Sequence, residues 1–550
     1  MPDSRWGAAF GPRTPQWRAR QSSIATWREM GLYAGRNAAQ EVDTTISRHA
    51  ATQVVFAVEQ EVDVTSAGAL WTQSDAVTTG LARLGFRAGD VVVSQLPNSR
   101  ENTVLFLACV RMGLVVVPVV DIYGPAELTY VLRSTRARAL VLPTLWRAID
   151  FEQRVRGLGD LPDLEHVIAV GGEGFTAATA VWSELEALTG PAPDLTEVHP
   201  DSVCLVNFTS GTTSDPKGVM HSHHSLIAAA RLHPSLRTAS KAGPMLRMGP
   251  AGHVGAIMSL LRPFLLGDEH IYVDRFEADF VADCCDRLGA RRTNAVPTLI
   301  ADLLEAGHGR LPGSLDYVLL GGTSVPPTFM RVLEDAGVHA VRTWGMTEQC
   351  VTTAGMPDEP FETRGLTDGR PVPGNVVRAV DDGGAEVEPG TPGELVTMGP
   401  QMFLGYVDAG LDAAAFTPDG CYRSGDIGVV DDRGFVTIVD RKKDIVVRGG
   451  ENISSREVEE LLLRHPSVRE AAVVAWPDER LGERVGAFVR LDTGSVLTLA
   501  DVQALFQDQG VARQKTPEHL VVVEEFPRTP AGKIVKAELR KDARSRCASN

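Results

Sequence analysis

Helix-period and strand-like segments alternate through most of this chain, and few architectures accept that order. GALWTQSDAVTTGLARLGF is followed by DVVVSQL, TVLFLACVRMG by LVVVPVV, and ADFVADCCDRLG by TNAVPTL. Apolar residues three and four apart line one side of a helix, whereas short unbroken apolar runs such as VCLVNF and LDYVLLGG suit strands buried on both faces. The alternation predicts an α/β fold, a large N-terminal domain of parallel and mixed sheets covered by helices. From about Pro373 the texture changes to DDGGAEVEPGTPGELV and DDRGFVTIVD. Short runs rich in Gly, Asp and Pro predict hairpins and a small β-rich subdomain. At DRKKDIVVRGGENISSREVEELLLRH a charged stretch, a strand, a Gly-Gly turn and a capped helix follow in succession. We expect domains over residues 1–440 and 441–550, the second being α+β.

Charge and cysteine usage exclude several classes. Among 550 residues, 54 are Lys or Arg and 70 Asp or Glu, a formal charge of −16. That sign opposes binding to a nucleic-acid backbone or an acidic membrane. Thr103 to Val120, the most apolar stretch, is interrupted by Arg111 and Pro118, so no membrane span is expected. The N-terminal stretch has Arg residues but no apolar core of signal-peptide length. The seven cysteines show no metal-type spacing and read as reduced thiols of a cytoplasmic protein.

Four segments carry chemistry. In VCLVNF-TSGTTSDPKG the loop offers Thr209, Ser210, Gly211, Thr212, Thr213 and Lys217. Hydroxyls and exposed N–H groups beside a cation form a nest for polyphosphate, although the same letters also make an ordinary polar turn. No P-loop pattern is present. VRTWGMTEQC holds Trp344, Gly345, Met346, Thr347 and Glu348, and LLGGTSVPP upstream supplies Gly321, Gly322 and Thr323. CYRSGDIGVVDDRGFVTIVDRKKD sets Asp426 ahead of Arg441, with Tyr422 and Phe435 in the same segment. FPRTPAGKIVKAELRKDARSR places Lys533 after a Pro/Gly turn, while Lys536, Arg540, Lys541, Arg544 and Arg546 read as a solvated helix face. His221, His223 and His224 have no acidic or Cys partner at suitable spacing and read as polar residues at a helix start. His253, in MGPAGHVGAIMSL, read alone is a structural histidine.

TSGTTSDPKG resembles the phosphate-binding signature of the adenylate-forming superfamily, T-S-G-T-T-G-x-P-K-G, with Ser214 in place of Gly. The likeness continues in the same order to PAGKIVKAELRK. It implies that Thr347 contacts the α-phosphate, that Glu348 holds Mg²⁺, that Trp344 replaces the usual Tyr beside adenine, and that Gly321, Gly322 and Thr323 form the adenine turn. Asp426 and Arg441 would grip the ribose, and Lys533 would reach the α-phosphate and the substrate carboxylate. His253 aligns with the gate of the acyl-CoA synthetases, and residues 253–255 and 294–298 would line the acyl pocket. The segment from Gly449 and Gly450 to Ile453 is like that of aryl, alicyclic and medium-chain ligases, and Lys443 aligns with the hinge of a mobile C-terminal domain. The resemblance implies an AMP-forming carboxylate:CoA ligase that uses ATP, Mg²⁺ and coenzyme A on a small carboxylic acid. With no carrier domain after Asn550, free CoA is the expected acceptor. An acyl-AMP ligase serving a carrier protein, a luciferase-like oxygenase and a catalytically silent nucleotide-binding protein share these motifs and stay open, as does a homodimer.

Overall fold

The computed structural model describes residues 19–58, 61–171, 175–188, 198–209, 216–232, 243–509, 511–529 and 532–548. In it the alternation resolves into two large sheets with their helices. An eight-stranded sheet has at its centre the parallel strands Val115–Pro118, Val91–Ser94 and Ala139–Pro143, each buried along its length. Their valine-rich runs need no polar alternation because helices cover both faces. A nine-stranded sheet carries Met245–Arg247, His270–Val273, Arg292–Ala295, Tyr317–Leu320 and His339–Met346 in parallel.

Local chemistry sets the element ends. Helix Arg100–Met112 starts where the Ser99 side chain accepts the Asn102 N–H and stops at Gly113, with φ 63°. Arg111, the charge interrupting this apolar run, lays its guanidinium 3.4 Å from the Trp71 ring centroid and pairs with Asp75 at 2.8 Å. TNAVPTL divides: the strand ends at Ala295, and Pro297 opens helix Pro297–Ala306, since proline at the first helical position gives up an N–H that lacks a partner there anyway. Among the described residues no helix is long and apolar enough to cross a membrane.

The β-rich region is a four-stranded antiparallel sheet, Val376–Val380, Gly393–Met398, Tyr422–Val430 and Val436–Arg441. The chain leaves it at Arg441 and turns through Lys442–Asp444, where the Asp444 N–H donates to the Arg441 carbonyl at 2.8 Å. A five-stranded sheet follows. Its first hairpin, Val446–Arg448 with Glu451–Ile453, turns on Gly449 and Gly450 at φ 61° and 92°, left-handed angles that glycine adopts freely. Helix Ser455–Leu462 is capped by Ser454.

On helix Lys536–Ala548, Lys541, Arg544 and Arg546 are exposed as expected, whereas the solvated reading of Lys536 and Arg540 needs correction. Lys536 Nζ lies 2.7 Å from Ser455 Oγ and 2.6 Å from Glu459, and Arg540 donates to the Lys443 carbonyl at 3.1 Å and to the Asp444 carboxylate. Leu539 and Ala543 are this helix's buried stripe. Positions 536 and 540 flank that stripe, so their long side chains reach across the contact instead of into water.

Candidate active site

Strand register builds the first part of the site. Asp426 and Arg441 face each other across the Tyr422–Val430/Val436–Arg441 pair, and Arg441 Nε donates to Asp426 Oδ1 at 2.5 Å. Trp344 Nε1, arriving from the nine-stranded sheet, donates to Asp426 Oδ2 at 2.8 Å. The carboxylate is 5% exposed and held from two sheets. Trp344 packs on Val377, Leu395 and Val436, so its polar edge orients the acid that faces Arg441.

The hairpin His339–Met346/Gln349–Ala354 carries the second part. It bulges between Trp344 and Met346, and Gly345 is required there because a Cβ would stand 2.1 Å from the Cys350 carbonyl oxygen. Thr347 and Glu348 follow at the turn. His221 Nε2 lies 2.8 Å from the Thr347 carbonyl, so that nitrogen carries the proton. Burial pushes this imidazole down to about 4, keeping it neutral. Glu348, 8% exposed, accepts the Tyr406 hydroxyl on Oε1 at 2.6 Å, and Tyr406 lies 3.2 Å from the Tyr422 hydroxyl. Burial and the Glu348 charge hold the Tyr406 phenol well above its usual range, so it remains a donor. Lys217 Nζ stands 5.4 Å from the Tyr406 ring centroid. Lys217 opens a strand whose first residue pairs with Thr209. Ser210, Gly211, Thr212 and Thr213 lie outside the described residues.

Gly321 lies against the same hairpin, and Gly322 beside Val296. A Cβ on Gly321 would come within 2.5 Å of Thr343 Cγ2, and Gly322 has φ 81°. Thr323 beside them is exposed.

Lys533 reaches the site from the C-terminal region. Its backbone is fixed by two bonds with Thr529, Lys533 N–H to Oγ1 at 3.2 Å and Thr529 N–H to the Lys533 carbonyl at 2.7 Å. Burial lowers its ammonium to about 8, the cations of Arg441 and Lys443 adding to the effect and the Asp426 carboxylate opposing it. His253, the N-cap of helix Val254–Ile257, is pushed down to about 4 by burial and by the Lys533 charge. Lys533, His253, Arg441 and Asp426 therefore share one electrostatic neighbourhood. The exposed Gly449 and Gly450 are not brought there: the Gly449 N–H donates to the Leu481 carbonyl at 2.8 Å.

Sequence reasoning missed Tyr406 and His221. Tyr406 belongs to the two-residue strand Gly405–Tyr406, which pairs with Met220 and Val219; no motif announces it. His221 was set aside with its neighbours for lack of an acidic partner, yet His224 Nδ1 lies 2.7 Å from Asp201. That partner sits on the neighbouring chain segment, where sequence spacing gives no signal.

Comparison with known families decides the lineage. The model described as AMP-binding enzyme matches residues 42–407, and that described as AMP-binding enzyme C-terminal domain matches residues 457–533. The chain belongs to the AMP-binding enzyme family. The second match ends on Lys533, and Glu348 lies in the first. Relatives of this AMP-binding enzyme include a medium-chain fatty-acid–CoA ligase of Escherichia coli K12, 36% identical over 83% of this chain and 82% of that protein. A salicylyl-CoA synthase/salicylate adenylyltransferase of a Streptomyces species is 32% identical over 99% of both chains. Among solved structures, an anthranilate CoA ligase in complex with anthranoyl-AMP superposes with TM-score 0.84 at 23% identity, covering 94% of this chain and 98% of that one. ATP-bound MatB from Rhodopseudomonas palustris gives 0.80 at 25%, covering 92% and 99%.

Proposed function

We propose that this AMP-binding enzyme is an AMP-forming carboxylate:CoA ligase. The observation that carries the reading is Lys533: a half-buried cation from the C-terminal region lies in the field of Asp426 and Arg441, and a lysine in that place meets a nucleotide's phosphates and an incoming carboxylate together. Relatives named as CoA ligases at 36% and 32% identity support it.

In this reading a carboxylate oxygen attacks the α-phosphorus of ATP, the bond to pyrophosphate breaks, and an acyl-adenylate forms. Asp426, with both oxygens already oriented by Arg441 and Trp344, accepts hydrogen bonds from the ribose hydroxyls. Lys533, Lys217 and the loop after Thr209 stabilise the charge that develops on the phosphates. His253, neutral by burial, closes the acyl side without adding charge. The CoA sulfur then attacks the acyl carbonyl and the carbon–oxygen bond to AMP breaks.

Glu348 fits a hard cation. It is a buried carboxylate whose Oε1 is held by a tyrosine hydroxyl, and among the described residues no group of three or more His, Cys, Asp or Glu gathers to cage a metal. A Mg²⁺ held by one carboxylate takes its remaining oxygens from phosphate and water. When bound, it would neutralise phosphate charge.

We further propose residues 1–440 and 441–550 as the two working units, with the hinge at 440–443. Lys533 serves the first half-reaction, the Gly449–Gly450 hairpin the second, and the swing exchanges them.

The test is ATP–pyrophosphate exchange by the full chain across a panel of carboxylic acids, followed by thioester assay with free CoA. Exchange with at least one acid and thioester from free CoA are expected. Exchange without thioester, rescued by a carrier protein's phosphopantetheine thiol, would move the assignment to the carrier-dependent ligases.

A further inference from the structure

Arg247 is the last residue of strand Met245–Arg247, which runs between His270–Val273 and Arg292–Ala295 in the nine-stranded sheet. In open α/β sheets ligands gather beyond the carboxyl ends of the parallel strands. The side chain is 3% exposed. Nη1 donates to Asn294 Oδ1 at 2.5 Å and to the Met245 sulfur at 3.9 Å, and Nη2 donates to the Gly255 carbonyl at 2.6 Å and to the Ser259 hydroxyl. All of these acceptors are neutral, and among the described residues no carboxylate forms an ion pair with Arg247. Asp268 is the carboxylate in its field. That group is already committed, Oδ2 to Arg262 at 2.8 Å and His270 at 3.1 Å and Oδ1 to Arg292 at 2.5 Å. Burial lowers the guanidinium to about 10, so it is a cation held at a cost in the interior. A buried guanidinium normally has an anion beside it.

Its neighbours point to where that anion belongs. Arginine cannot accept a hydrogen bond, so the contact fixes the Asn294 amide with Oδ1 towards Arg247 and Nδ2 away from it. Nδ2 then faces Gly255, where an added Cβ would meet only Asn294 Nδ2 at 3.8 Å and His253 Nδ1 at 4.0 Å. The Asn294 amide and one ring nitrogen of His253 therefore face the same point, at ordinary contact distance. His253 in turn lies in the field of Lys533. His253 thus stands beside Gly255, whose other neighbours are Asn294 and Arg247.

We infer that the acid activated here carries a second oxyanion, a carboxylate or a sulfonate remote from the reacting carboxylate, received by Arg247 and the Nδ2 amide of Asn294. This rests on the ligase reading above and names its substrate class. A planar guanidinium fork suits an oxyanion better than it suits an alkyl or plain aryl tail. A pocket built to bond a polar group rejects the analogue lacking it, because its own donors are then left unmet.

The experiment is ATP–pyrophosphate exchange by the full-length chain on α,ω-dicarboxylates and ω-sulfonated carboxylates of graded length, each beside the neutral acid of equal length. At least one anionic member should exceed its neutral partner in kcat/KM by about a hundredfold, and comparing the two series separates carboxylate from sulfonate. Arg247→Met should erase that ratio and leave the KM for ATP near wild type. Should Arg247→Met not fold, the wild-type ratio still decides, and Asn294→Gly should reduce it by about tenfold. Wild-type exchange that favours the neutral acids throughout would overturn the inference while leaving the ligase reading intact. No exchange with any acid would overturn the ligase reading and this inference with it.

Discussion

At the scale of single residues, the chemistry turns on what burial does to charge. Lys533 is lowered from 10.5 to about 8 chiefly by desolvation, so it is a cation below that pH and neutral above it. Adenylation measured as kcat/KM should therefore decline as pH rises through about 8. Stability should move the other way. Between about 8 and 10.5 the unfolded chain holds the proton that the folded chain has released, and folding grows more favourable as pH rises across that window. Exchange assays and urea titrations over pH 7–10.5 check both signs, and a flat kcat/KM profile would remove Lys533 from the reaction. Replacing it with Ala should slow acyl-adenylate formation by roughly 10²–10³, the usual effect of deleting one preorganised charge from a water-poor site, and should abolish the alkaline limb. CoA attack on supplied acyl-adenylate should stay near the wild-type rate. Equal loss in both half-reactions would contradict a role confined to adenylation.

Among elements, the turn Lys442–Asp444 does the work of joining the four-stranded sheet to all that follows. It is closed by the Asp444 N–H on the Arg441 carbonyl and gripped from the C-terminal helix by Arg540. Proline fixes φ near −65°, so Lys443→Pro should hold one pose: adenylation persists, and thioester formation falls by about a hundredfold or more. Single-turnover measurements of each half-reaction, with a melting curve to confirm the fold, check this. Wild-type rates in both would move the hinge elsewhere. Element by element, the sequence was legible where pattern and placement are local. Helix Arg100–Met112, the strand from Val203 and the Gly449–Gly450 turn follow from neighbours in the chain. Asp426 and Arg441 were legible because they sit on adjacent strands of one hairpin. Tyr406 was not, since its bond to Glu348 depends on a short strand pairing with a distant one. Arg247 reads in sequence as one more strand residue, and only the fold shows that it ends beside Asn294 without a counter-ion. The cations at 536 and 540 were misjudged because helical spacing says which residues share a face and not what that face meets.

For the whole molecule, Asp368 is one of the ties between sheets. Its Oδ1 accepts Arg342 Nε and Nη2 at 3.1 and 2.8 Å, and its Oδ2 accepts the Ile438 N–H at 2.8 Å. Arg342 lies in the nine-stranded sheet and Ile438 in the four-stranded one. Removing one partner of a buried pair leaves an uncompensated charge, so Asp368→Ala should cost about 3–5 kcal/mol. Urea unfolding checks that loss, and an effect under 1 kcal/mol would show that the sheets are held chiefly by apolar packing. Arg441 joins the same regions to the proposed pivot: it grips Asp426 through its side chain, and its carbonyl closes the turn that bears Lys443. On the proposed assignment one residue thus belongs both to the nucleotide's seat and to the axis of rotation. Linkage is reciprocal. Whatever factor the proposed rotation imposes on the affinity for AMP, AMP would impose in turn on the balance between the two poses, and the leaving nucleotide would then also act as a timing signal for the protein that expels it.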